Sequence, residues 1–99
     1  MDDFTVDWPA DIDTYSKPNG WINLPVKSGG RTYSVTFFDP VRLRQEIGDA
    51  LKQSAYFAEL NLVVVDVIDR ATIAAALQSM AKRGDFGLFR PDELGDATY

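Results

Sequence analysis

Ile22-Asn23-Leu24-Pro25-Val26-Lys27, followed by Ser28-Gly29-Gly30 and then Thr32-Tyr33-Ser34-Val35-Thr36-Phe37, is the stretch that decides the fold. Apolar and polar residues alternate on both sides of the glycine pair, the period of a strand with one buried face. Glycines supply the positive φ that a tight hairpin turn demands, so the stretch predicts two antiparallel strands. Pro25 has no N–H to give a ladder, and therefore marks an edge or a locally unpaired position.

Working outward, Asp39-Pro40 opens a helix, with the aspartate as cap and the proline at the first helical position. Val41, Leu43, Ile47, Ala50 and Leu51 follow helical spacing, while Arg42 and Glu46 stand four apart on the polar side. Leu62-Val63-Val64-Val65-Asp66-Val67-Ile68 is β-branched and almost wholly apolar, a strand covered on both faces. Asp69 then caps a second helix through Ile73, Ala76, Leu77 and Met80, which ends in Lys82-Arg83-Gly84. The order is strand, strand, helix, strand, helix (ββαβα), an α+β two-layer sandwich forming a single domain over residues 1–99.

The ends are less regular. Residues 1–20 read as an irregular covering segment: Thr5–Trp8 alternates like a short strand, Pro9 interrupts it, and Lys17-Pro18-Asn19-Gly20 is a turn. Gly87-Leu88-Phe89-Arg90 reads as a short edge strand, and residues 91–99 as a frayed tail.

Composition excludes whole classes of chemistry. The chain has 99 residues and neither cysteine nor histidine. Disulfides, thiolate metal sites, cysteine nucleophiles, Ser-His-Asp triads and histidine-bearing zinc sites are therefore absent. The net charge is −5, but the middle of the chain, residues 14–84, holds nine Lys/Arg against six Asp/Glu, so the acid is concentrated at the ends. This balance argues against nucleic acid as a partner, since phosphate binding wants a basic patch. No apolar run approaches the ~18–20 residues of a membrane helix, and Met1-Asp2-Asp3-Phe4 does not open like a secretory signal. The expected setting is cytoplasmic, with no membrane partner.

The strand parity sorts side chains into two faces. Tyr33, Val35 and Phe37, with Val63, Val65 and Val67, should lie under the helices. Thr32, Ser34, Thr36 and Phe38, with Leu62, Val64, Asp66 and Ile68, should lie on the other face. Leu62, Val64 and Ile68 make too apolar a patch to leave in water. Three covers are open to it: the N-terminal segment through Phe4, Val6 and Trp8, a second copy in a symmetric dimer, or a partner protein. Tyr56-Phe57, adjacent rings after the first helix, cannot easily both turn inward, and one of them is a candidate contact residue. The partner-binding candidates are therefore Thr32, Ser34, Thr36, Phe38, Leu62, Val64, Tyr56 and Phe57.

Asp39, Asp66 and Asp69 are the carboxylates that parallel strands would bring to one end of the sheet, where Mg²⁺ could take oxygen ligands. The competing role for Asp39 and Asp69 is helix capping. No phosphate-cradling glycine motif occurs, and no cofactor is implied. Three functions follow as expectations. The first is a non-enzymatic, acidic protein-binding module of inhibitor, bacterial immunity or adaptor type, by analogy of size and charge. The second is a homodimeric structural or regulatory domain. The third is a carboxylate-dependent, Mg²⁺-assisted enzyme.

Overall fold

The computed structural model describes residues 4–92, whose chain forms one mixed sheet of four strands in the order β1-β2-β3-β4. Strands β2 (Trp21–Ser28) and β3 (Arg31–Phe38) are the expected hairpin, turned by Gly29 and Gly30 at φ 60° and 77°. Their register pairs Ile22 with Phe37, Leu24 with Val35 and Val26 with Tyr33, placing the alternating apolar residues on one face. A short strand β1 (Thr5–Val6) adds antiparallel to β2, and β4 (Leu62–Val64) adds parallel to β3. The chain is α+β, as the alternation of elements requires.

Pro25 sits opposite Ser34, and its carbonyl accepts the Asp7 N–H at 3.3 Å on the β1 side. The nitrogen without a proton points the same way. The hairpin ladder therefore loses nothing to the proline, because the gap falls where β1 is running out.

Helix α3 (Arg70–Arg83) packs Ile73 and Leu77 on the sheet, and the core there holds Leu24, Val26, Val35, Phe37, Ile68 and Ile12. Each of those apolar side chains contributes about 1.5–3 kcal/mol on burial. Two aspartates finish the N-terminus of α3: Asp69 accepts the Thr72 N–H at 2.8 Å, and Asp13 accepts the Arg70 N–H at 2.9 Å. Gly84, at φ 77°, ends the helix.

The N-terminal segment departs from expectation in form and place. Residues Ile12–Ser16 make a π-helical turn that runs into one α-turn, α1 (Lys17–Asn19). Phe4, Val6 and Trp8 pack on the α3 side of the sheet. Parity explains it: Val6 pairs with Val26, whose side chain is in the core, so the alternate residues of β1 face the same way. This segment therefore does not cover the opposite face.

The C-terminal region also differs. Residues Asp85–Leu88 form a 3₁₀ turn in place of an edge strand. With three residues per turn, Phe86 and Phe89 point to one side. They meet Tyr33 at 6.3 and 6.0 Å and each other at 5.6 Å, and Phe86 meets Phe4 edge-on at 5.7 Å. The chain stays docked through Asp92, which donates its N–H to the Thr32 carbonyl at 2.7 Å and accepts the Ser34 N–H at 3.1 Å. The tail expected from residue 91 is thus anchored as far as 92, and its remainder lies outside the described residues.

Between β4 and this segment stands Asn61, at φ 52°. Its amide donates to the Ser34 carbonyl at 3.0 Å and to the Arg90 carbonyl at 2.8 Å, and its oxygen accepts the Arg90 N–H at 2.8 Å. One side chain thereby completes the edge of β3 where β4 has not yet begun.

Candidate functional site

Helix α2 (Pro40–Gln53) reads as amphipathic in sequence, yet none of its residues is buried. Asp39 caps it, accepting the Arg42 N–H at 2.7 Å. Arg42 and Glu46 share a cleft of about 380 Å³ with Trp21, Asn23, Thr36 and Phe38, closed on another side by Glu59. Trp21 and Asn23 alternate with the buried Ile22 and Leu24, so this cleft lies on the sheet face opposite α3. That volume is at the low end of small-ligand clefts, roughly 300–1,000 Å³.

The strand register arranges this face in rows. Trp21 pairs with Phe38, which pairs with Val64, an apolar row across three strands. The next row is Asn23, Thr36 and Leu62, and beyond it come Pro25 with Ser34 and Lys27 with Thr32. The face therefore grades from apolar at the α2 end to polar at the hairpin turn. Trp21 and Phe38 lie 6.4 Å apart at a 30° tilt, and Asn23 donates to the Thr36 hydroxyl at 2.9 Å. Phe38 and Thr36 are buried, whereas Trp21 is 41% and Val64 48% exposed. The segment that brings Glu59 to the cleft also exposes Tyr56 at 70% and Leu60 at 59%.

Of the partner-binding candidates from sequence, Thr32, Ser34, Thr36, Phe38, Leu62 and Val64 do share this face. Tyr56 is exposed and Phe57 half-buried. Ile68 was expected beside them and is instead fully buried in the core, because β4 ends at Val64 and the chain turns before it. Arg42, Glu46 and Glu59 are cleft residues that the sequence did not single out. The parity of Trp21 and Asn23 was legible in the hairpin, but the placement of α2 on their side was not.

The ions of the cleft are unevenly satisfied. Arg42 donates through Nε to Glu46 Oε2 at 2.9 Å, lies 2.8 Å from it through Nη2, and reaches the Asn19 carbonyl at 3.4 Å through Nη1. Its charge is therefore paired with Glu46. Glu59, an exposed residue, carries no such partner among the described residues, so the cleft that Trp21 lines also presents one unpaired carboxylate.

Asp39, Asp66 and Asp69 are not gathered into a metal site; among the described residues no three carboxylates are so grouped. Asp39 and Asp69 each cap a helix, and Asp66 is exposed. The Asp69 carboxyl is held below its ordinary range by the Thr72 hydroxyl, then the Thr72 N–H, with the Lys17 charge adding to both and partial burial opposing them. That is the signature of a cap. Among the described residues no helix is long and apolar enough to cross a membrane. Comparison with known proteins adds no relative: no family model, no curated protein and no solved structure matches this chain.

Proposed function

We propose that the protein is a non-enzymatic, acidic binding module of inhibitor, immunity or adaptor type, and that it docks another protein on the face built by Trp21, Phe38 and Val64. The observation that carries this reading is the apolar row itself. A chain that buries its other sheet face under α3, Ile12 and the 3₁₀ turn leaves Trp21 and Val64 partly in water. Exposed apolar side chains grouped with a polar rim mark contact surfaces, and tryptophan and tyrosine are the usual anchors of such contacts. A chain without histidine or cysteine would rest any catalysis on carboxylates, lysine, tyrosine or a hydroxyl, and two of its three candidate aspartates are engaged as caps.

The test is capture from a lysate of the native cells with tagged wild type, Val64→Lys and Gln78→Lys, the last on the exposed side of α3. Wild type and Gln78→Lys should hold one stoichiometric protein that Val64→Lys loses. A partner retained by Val64→Lys overturns the reading. A complex formed only with a second copy, concentration-dependent and broken by Val64→Lys, replaces the adaptor reading with the homodimer.

A further inference from the structure

We infer that the cleft beside Trp21 receives an arginine side chain of the partner protein, with Glu59 as its counter-ion. The inference rests on the docking reading above and specifies its chemistry. Three observations support it. The cleft has an aromatic wall, because Trp21 and Phe38 both line it and Trp21 is partly in water. It holds a carboxylate without a partner among the described residues, Glu59, whereas the cation lining it, Arg42, is paired with Glu46 and reaches the Asn19 carbonyl. The charge it offers is therefore negative, and so is the net charge of the chain.

A cation that stacks on an indole while pairing with a carboxylate satisfies both features at once. Guanidinium suits this better than ammonium: it is flat, more weakly hydrated, and forks its donors toward a carboxylate. An acidic occupant would meet Glu59, and the cation lining the cleft, Arg42, is already paired with Glu46. A purely apolar occupant would cover Glu59 without pairing it, which costs more than leaving it wet.

The probe is a capped tripeptide, acetyl-Gly-Arg-Gly-amide, against its neutral citrulline analogue. The readout is the indole N–H resonance of Trp21 in ¹⁵N-labelled protein, assigned through Trp21→Phe. Trp8 serves as internal reference, since it already lies beneath the Arg70 guanidinium at 5.1 Å. The arginine peptide should shift Trp21 at least threefold more than the citrulline peptide and leave Trp8 in place. Glu59→Gln should reduce the arginine shift to the citrulline level. Equal shifts from both peptides, or an unchanged arginine shift in Glu59→Gln, overturn the inference. The docking reading stands or falls separately on Val64→Lys, so an arginine pocket that fails leaves a partner lost by Val64→Lys still explained.

Discussion

Gly20 is the position at which a single methyl group should do the most damage for its size. It joins α1 to β2 at φ 76°, and a Cβ built there would lie 2.8 Å from Arg42 Cβ and 2.9 Å from Asp39 Oδ2. Neither neighbour can step aside freely. Arg42 Cβ is fixed to the first turn of α2, and the Asp39 carboxylate is committed to capping that turn. The backbone is tied as well, since the Asp39 N–H donates to the Gly20 carbonyl at 2.8 Å. Gly20→Ala therefore meets two costs: about 1–2 kcal/mol for a left-handed alanine and roughly 1–3 kcal/mol for overpacking. Reduced freedom of the unfolded chain offsets about 0.4–1 kcal/mol. The net is a loss of roughly 2–3 kcal/mol, or a fall in Tm of about 10–20 °C for a domain of this size. Gly30→Ala is the matched control. Its φ is 77°, but nothing lies within 4 Å of the added methyl, so it should cost only about 1 kcal/mol. Urea unfolding followed by far-ultraviolet circular dichroism measures both. If Gly20→Ala is as stable as Gly30→Ala, the close seating of α2 on Gly20 is refuted, and with it the geometry that sets the cleft.

Two other predictions concern the joints of the fold. Asn61→Ala removes three hydrogen bonds and leaves a non-glycine residue at φ 52° without compensation. It should cost roughly 2 kcal/mol and selectively speed hydrogen exchange of the Arg90 and Asp92 amides; unchanged exchange there contradicts the staple. Asp69 has a folded pKa below its unfolded value, so its stabilisation is complete above the unfolded value and disappears as pH falls through the folded one. Wild type should therefore be more stable than Asp69→Asn at pH 6, with the gap narrowing as pH falls below about 4. Thermal melts across an acid series check it, and a gap that does not narrow with acid contradicts it.

Much of this architecture was legible because short-range rules decide it. The period-two alternation across Gly29-Gly30 gave the hairpin and its faces, and Asp39-Pro40 and Asp69 announced the two long helices at their first turns. What escaped was set by long-range pairing. The hydrophobic run 62–68 looked like seven residues of strand, but the ladder stops at Val64, and the change of direction moves Ile68 from the open face into the core. Gly87-Leu88-Phe89-Arg90 reads as an edge strand, but the chain turns at Asp85–Leu88, and the three-residue spacing of Phe86 and Phe89 fits that 3₁₀ turn. Asn61 gave no local sign of its role, since its partners are 27 and 29 residues away. The candidate face was half legible for the same reason. Parity placed Thr36, Phe38, Leu62 and Val64 together, but the cleft appears only once α2 is set above Trp21.

Docking on the Trp21–Phe38–Val64 face is tested most directly by cross-linking from it. The chain has no cysteine, so one can be placed at will: Val64→Cys on that face, and Gln78→Cys on α3 as reference. Each is labelled with benzophenone maleimide and irradiated in a lysate of the native cells. A docking face should give one dominant cross-linked protein from position 64 and none of it from position 78. The same product from both positions, or from 78 alone, would contradict it.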